Sequence, residues 1–215
     1  TPQSASSSSS IWCEKSGELT SVESALLAHL PEKEGEEVYR ILNGRKAEKL
    51  ELSKEAQAIA KKLDFDLVGY KITAQKEELR SPRIVRIGAV QHAMKTPTDA
   101  PVSQTLQVLH DWAREVVKAA HLSGVNVIGF QELWNAPFFL CTREKLPWVQ
   151  YAEDYENGPT AQLFKELSGK YNMVIISPIL ERDALKDTIW NSAVVFYNGR
   201  VMGRHHKNHI PRVGD

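Results

Sequence analysis

The stretch LQVLHDWAREVVKAAHLSGVNVIGFQELW, residues 106–134, decides the fold. Its first part repeats apolar residues at helical spacing and ends at Ser123-Gly124, which predicts an amphipathic helix over Leu106–Leu122. Val125–Phe130 is a compact apolar run, too short for a typical helix, and predicts a buried strand. A helix that leads into a buried strand is the repeating unit of a parallel sheet covered by helices.

The same alternation continues on both sides of this stretch. Arg83–Val90 is apolar and rich in β-branched residues, so it predicts a buried strand before the helix. A second helix is predicted over Thr160–Tyr171 and a third strand over Met173–Leu180. The predicted order is therefore β-α-β-α-β.

A hairpin is predicted after the third strand. Its strands are Ile189–Tyr197 and Arg200–His206, and the Asn198-Gly199 dipeptide between them suits a type I′ turn. The chain is thus expected to be of the α/β class with a hairpin extension.

A tail and a helical appendage are predicted before this domain. Residues 1–18 are polar and Ser-rich, so we expect a disordered tail without a chemical role. In residues 19–80, short helices are predicted from Ser21, over Glu36–Leu42 and over Ser53–Leu63. Such short helices depend on packing, and we expect the appendage to take part in oligomer contacts. The main domain then occupies residues 81–215.

Charge and hydropathy exclude several classes of partner. Lys+Arg and Asp+Glu both number 27, and no basic stripe is present, so we expect no nucleic acid partner. No apolar run approaches the roughly 20 residues that span a bilayer, so we expect no membrane insertion. With two cysteines and no secretory signal at the start of the sequence, the expected location is cytoplasmic.

Two residues at predicted strand ends are candidates for chemistry. Glu132 follows the second strand, at the edge of the sheet where functional groups gather in α/β folds. Lys207 follows the hairpin and precedes a segment that Pro211 stiffens. By position alone, each is also compatible with a solvated surface residue.

The sequence His205-His206-Lys207-Asn208-His209 raises the alternative of a zinc site, since imidazole is a common zinc ligand. Neighbouring side chains on a strand point to opposite faces, so His205 and His206 do not converge on one ion without a bend. We expect no metal and no cofactor.

Four blocks of this sequence resemble the nitrilase superfamily of carbon-nitrogen hydrolases. They are FQELW (130–134), FLCTREKLPW (139–148), SPILERD (177–183) and KNHIPRVGD (207–215). The resemblance runs from about Leu19 to Asp215 and includes the helical appendage. It implies the N-terminal part of an α-β-β-α sandwich, preceded by that appendage, and assembly into a homo-oligomer.

The superfamily resemblance is strongest to members that act on ureido acids. It implies hydrolysis of N-carbamoyl-β-alanine and N-carbamoyl-β-aminoisobutyrate to the β-amino acid, CO2 and NH3, in pyrimidine breakdown. Glu132 would be the general base and acid, with a pKa raised by apolar neighbours, and Lys207 would stabilise the oxyanion. Trp134, Phe138 and His209 are our candidates for substrate contacts.

The same resemblance places the nucleophilic cysteine beyond Asp215. Cys141 aligns with a family cysteine that is not the nucleophile, so we interpret it as structural, and Cys13 lies in the polar tail. Residues 1–215 are therefore expected to be inactive by themselves.

Departures from the family pattern leave alternatives open. The family usually has an alanine where Leu133 stands and Thr-Met-Pro-Phe where Asn135–Phe138 stands, which bears on pocket shape and substrate preference. One alternative is a related amidase or carbamoylase. The other is a truncated, non-catalytic subunit that pairs with the full-length enzyme, because half-sandwiches with exposed strand edges seek partners.

Overall fold

The computed structural model describes residues 21–44, 47–72, 77–81, 83–139, 146 and 148–210. The predicted tail, Cys13 and Cys141 lie outside these residues. The described chain divides into two compact units, the first within 1–49 and 70–73, the second within 50–69 and 74–215.

The first unit contains two helices and a short strand pair. Its elements are α1 (Val22–His29), α2 (Glu32–Asn43), β1 (Glu48–Lys49) and β2 (Tyr70–Lys71). A capping box begins α1, because the Ser21 hydroxyl accepts from the Ser24 backbone N–H and the Ser24 hydroxyl accepts from the Ser21 backbone N–H. β1 and β2 pair antiparallel.

The second unit alternates strands and helices, as predicted. Its helices are α3 (Lys54–Lys62), α4 (Val102–Leu122) and α5 (Pro159–Tyr171), with a 3-10 turn at Trp148–Tyr151. Its strands are β3 (Ile87–Ala89), β4 (Val127–Gly129), β5 (Val174–Asp183), β6 (Thr188–Tyr197) and β7 (Arg200–His206). Together with the family match reported below, these elements confirm the α/β class.

The helix α3 belongs to the second unit, although its residues were predicted to be part of the appendage. It packs against α4, and its small residues Ala56 and Ala60 are buried there. Small side chains allow two helices to approach closely, which explains why this short helix joins the larger core.

The five strands of the second unit form one mixed sheet in the order β3-β4-β5-β6-β7. The first two pairings are parallel and the last two are antiparallel. α4 packs against α5, and α5 packs against β5, β6 and β7. We call the side of the sheet that carries Ile179, Val194 and Phe196 the helix-covered face, because these residues share the core with both helices.

The predicted burial of the first strand is wrong. Only Ile87–Ala89 is strand, and Ile84, Val85 and Ile87 are 86%, 59% and 75% exposed. β3 lies at the end of the five-strand order, so it has a sheet partner on one side within the described residues.

The hairpin prediction is confirmed. Asn198 and Gly199 have φ angles of 49° and 73°, and a type I′ turn requires positive φ at both central positions. Between Phe196 and Val195 the register shifts, because Phe196 pairs with Val201 and Val195 pairs with Gly203. Met202 is therefore an extra residue, a β-bulge in β7.

Strand direction explains which loops share an edge of the sheet. β4 and β5 are parallel, and two antiparallel pairings separate β5 from β7, so β7 runs in the same direction as β4. The residues that follow β4 and β7 therefore emerge at the same edge. Among the described helices, none is long and apolar enough to cross a membrane.

Candidate active site

The turn after β4 carries Glu132 and is held by its neighbours. Leu133 has a φ of 50°, a left-handed conformation that a leucine rarely adopts, and its side chain is buried. The Trp134 side chain is fully buried, and its indole Nε1 donates to Ser177 Oγ at 2.8 Å. The Glu132 side chain is 47% exposed. The turn thus anchors Leu133 and Trp134 in the core and leaves Glu132 accessible.

The structure brings Glu132 and Lys207 together. Lys207 Nζ donates to Glu132 Oε1 at 2.6 Å, although the two residues are 75 positions apart in the chain. Asn191 of β6 donates from Nδ2 to the same oxygen, also at 2.6 Å. The Lys207 backbone N–H donates to the Asn191 carbonyl oxygen at 2.8 Å, so the main-chain pairing of β6 and β7 continues as far as the Glu132–Lys207 contact.

The expected raised pKa of Glu132 is wrong. The hydrogen bond from Lys207 is the largest effect and lowers the pKa of this carboxyl below its ordinary value. Burial opposes it, and the bond from Asn191 lowers the pKa further. Apolar neighbours do not raise the pKa of Glu132 above its ordinary value, since Phe138 is 74% exposed and Trp134 is turned into the core. Glu132 is therefore ionised at neutral pH.

A buried carboxylate lies behind the site on the helix-covered face. Glu181 of β5 has no exposed surface and accepts from Ser192 Oγ at 2.6 Å, from His206 Nε2 at 3.1 Å and from Arg204. Ser192 pairs with His206 across β6 and β7. Successive strand residues point to opposite faces, so the next pair, Asn191 and Lys207, lies on the other face. Glu181 thus fixes the strand ends from which both donors to Glu132 project.

A second buried carboxylate holds the Glu132 turn from within. Glu153 Oε1 accepts from Asn135 Nδ2 at 2.8 Å and from Thr160 Oγ1 at 2.6 Å, while Oε2 accepts from the Thr160 backbone N–H at 2.7 Å. The last bond caps the first turn of α5. Burial raises the pKa of Glu153 despite these bonds. His110 Nε2 extends the network by a 2.9 Å bond to Thr160 Oγ1.

The partly buried His110 predicts a loss of stability in acid. Burial, the largest cause, lowers the pKa of His110 from 6.5 to about 4. The unfolded chain takes up this proton below pH 6.5 and the folded chain resists it, so stability present above pH 6.5 is lost as the pH falls towards 4. The full difference corresponds to about 3 kcal/mol.

We therefore expect His110→Gln to flatten the pH dependence of the free energy of unfolding between pH 6.5 and about 4. Glutamine still donates to Thr160 but does not titrate. Urea unfolding across this range measures the effect, and His29→Gln, at an exposed histidine, is the matched control. An unchanged slope for His110→Gln would contradict the assignment.

The remaining predicted site residues do not join the Glu132–Lys207 contact. Trp134 is a core residue, Phe138 is exposed beside the turn, and His209 is exposed two residues after Lys207. His206 stacks on Trp190 with ring centroids 4.4 Å apart and contacts Glu181. Within the described ranges, no group of three or more His, Cys, Asp or Glu side chains is arranged to hold a metal ion.

Sequence reasoning missed Asn191, Glu181 and Glu153. Asn191 lies in the predicted hairpin, which is the feature that could have indicated it. However, a two-residue turn at Asn198-Gly199 followed by an uninterrupted ladder would pair Asn191 with His206. The bulge at Met202 moves Lys207 into that position instead.

Residues 86–215 match the carbon-nitrogen hydrolase family, and the chain belongs to it. Within that family, the chain is 42% identical over 201 residues to β-ureidopropionase of Arabidopsis thaliana, covering 91% of this chain and 49% of that protein. It is 30% identical over 102 residues to N-carbamoylputrescine amidase of Oryza sativa subsp. japonica, covering 47% of this chain and 33% of that protein.

Among solved structures, a carbon-nitrogen hydrolase from Helicobacter pylori G27 aligns with 59% of this chain and 40% of its own, at 26% identity and a TM-score of 0.46. The chain spans about half the length of the Arabidopsis relative and a third of the rice relative.

Proposed function

We propose that the protein, in its complete form, hydrolyses N-carbamoyl-β-alanine and N-carbamoyl-β-aminoisobutyrate. The reaction consumes one water and releases the β-amino acid, CO2 and NH3. The observation that carries this proposal is the 2.6 Å contact between Glu132 and Lys207, at one edge of the sheet. The similarity to a β-ureidopropionase supports the choice of substrate.

The two residues supply complementary chemistry for a ureido carbonyl, which is a poor electrophile. Glu132, ionised in the resting site, takes the proton of the attacking thiol, delivers it to the departing nitrogen and then activates water. The Lys207 ammonium donates to the carbonyl oxygen as negative charge develops there. We propose that the thiol comes from sequence after Asp215, so residues 1–215 by themselves are expected to be inactive.

The setting of this reaction is part of the proposal. The substrate is a small ureido acid, no metal or cofactor takes part, and the protein acts in the cytoplasm as a homo-oligomer. These statements follow from the resemblance and from the composition of the sequence. Size measurement of the purified complete protein, and its activity after treatment with a chelator, test the assembly and the metal-free mechanism.

Substrate comparison with the complete protein tests the proposed reaction. We expect release of β-alanine from N-carbamoyl-β-alanine with a higher kcat/KM than hydrolysis of N-carbamoylputrescine or an N-carbamoyl-α-amino acid. The similarity to N-carbamoylputrescine amidases makes that amine the second candidate substrate. A preference for N-carbamoylputrescine would replace the proposed substrate, and absence of hydrolysis of all three would reject the activity.

Lys207→Ala is expected to lower kcat by roughly 100- to 1,000-fold, the loss seen when one oxyanion donor is removed. The structure offers Lys186 as a matched control, because it is an exposed lysine in the turn between β5 and β6. Lys186→Ala should keep the parent rate. Steady-state kinetics on N-carbamoyl-β-alanine compare the two, and equal activity of both variants would remove Lys207 from the mechanism.

A further inference from the structure

We propose that Asn191 is a positioning residue of this site, holding the Glu132 carboxylate in place from β6 while Lys207 serves the substrate. The inference rests on the proposed function and adds a third residue to it. Asn191 was not a candidate in the sequence, and its role is inferred from its contacts.

The contacts of Asn191 fix its orientation. An ionised carboxylate only accepts hydrogen bonds, so the atom that faces Glu132 Oε1 at 2.6 Å is the amide nitrogen Nδ2. The Asn191 backbone carbonyl accepts from the Lys207 backbone N–H at 2.8 Å. One residue thus binds the carboxylate by its side chain and the lysine by its main chain.

The strand beneath Asn191 is anchored on the opposite face. Ser192, the next residue, is fully buried and donates to the buried carboxylate of Glu181 at 2.6 Å. The backbone of Asn191 is therefore fixed by ladder pairing and by this bond. A short side chain on a fixed backbone loses little conformational freedom when it binds, so it is suited to holding a partner in one place.

Lys207 is less suited to this task. Its ammonium sits on a flexible four-carbon stem, and in the proposed reaction it donates to the carbonyl oxygen of the substrate. Lys207 and Asn191 both donate to Glu132 Oε1. Asn191 therefore still holds that oxygen when the ammonium turns towards substrate. Glu132 then keeps its direction throughout the reaction.

The charged surroundings of Glu132 make the effect measurable by pH. Among the described residues, Lys207 is the charged group that interacts with Glu132, and Asn191 is the neutral donor. Both lower the pKa of Glu132, so loss of Asn191 raises it. The base must be ionised to act, and the acid limb of the profile of kcat/KM against pH moves to higher pH.

The experiment compares Asn191→Ala, Asn191→Asp and Thr188→Ala in the full-length protein. We expect Asn191→Ala to lower kcat roughly tenfold, as for loss of a hydrogen bond to a charged group, and to move the acid limb to higher pH. Asn191→Asp keeps the side-chain shape but places a second carboxylate beside Glu132, so a larger shift is expected. Thr188→Ala, at the start of the same strand, should keep the parent profile.

A merely structural Asn191 would give a different result. Its variants would lose folded protein in proportion to activity, and the acid limb measured on the folded fraction would stay at the parent pH. That outcome, or a parent-like kcat in Asn191→Ala, overturns the inference. If Lys207→Ala and Glu132→Gln still lower turnover by roughly 100-fold or more, the proposed function stands without Asn191. If those two variants retain full activity, the proposed function itself fails.

Discussion

Replacing Glu132 with glutamine is expected to lower kcat/KM on N-carbamoyl-β-alanine by roughly 100- to 10,000-fold, the range for loss of a general acid-base group. Glutamine has the same shape and can still accept the hydrogen bonds from Lys207 and Asn191. It cannot take up the proton of a thiol. The geometry of the site should therefore survive while proton transfer is lost, and release of β-alanine by the complete protein measures the effect.

The control for this variant is Glu166→Gln. Glu166 is a half-exposed glutamate on α5, 53% exposed, that bonds Arg114 as Glu132 bonds Lys207. We expect Glu166→Gln to retain parent activity, since exposed ion pairs contribute little. Full activity of Glu132→Gln would reject the base assignment, and a matching loss in both variants would indicate a general effect of charge removal.

Trp134→Ala is expected to lower the free energy of unfolding by about 3–5 kcal/mol, the usual cost of deleting a large core side chain. Trp134 is fully buried among Phe130 and Phe164, with ring centroids 4.9 and 5.4 Å away. Its removal also leaves the buried Ser177 hydroxyl without its donor. Urea unfolding monitored by circular dichroism measures the loss.

Phe138→Ala provides the comparison for Trp134, because Phe138 follows the same turn but is 74% exposed. Its effect on stability should stay within about 0.5 kcal/mol, as for other surface changes. If Phe138 contacts substrate, KM rises in this variant with stability unchanged. Trp134→Ala with parent stability and a raised KM would instead make Trp134 the substrate contact.

The elements that sequence could predict are those determined by local patterns. The helix that became α4 has a continuous apolar stripe, and Asn198-Gly199 has the backbone freedom that its turn requires. The type of each element follows from such patterns, since the periodicity of side chains is a property of one segment. Boundaries moved by a few residues, as in α4, which begins at Val102 because Pro101 precedes it.

The properties that sequence could not predict depend on partners distant in the chain. The apolar run at Ile84 and Val85 reads like a buried strand, but its side chains are buried only where helices or another layer of the fold cover them. The pKa of Glu132 was expected to rise among apolar neighbours, and it falls because Lys207 reaches the same edge of the sheet. Glu132 and Lys207 could be predicted because each follows a predicted strand. Prediction of Asn191 would have required the register of the hairpin.

The extra residue in β7, Met202, determines which of the side chains that follow it face the helices and which face Glu132. If Met202 were instead paired in an uninterrupted ladder, the imidazole of residue 206 would lie opposite Asn191 and face the glutamate, and the ammonium of residue 207 would point inward among the helices. A one-residue insertion or deletion between Gly199 and Lys207 that is not absorbed at this bulge therefore exchanges the inner and outer environments of every side chain that follows it. Deletion of Met202 itself removes the bulge and leaves Lys207 opposite Asn191, so the bulge is the place in this segment where a change of one residue keeps the Glu132–Lys207 contact.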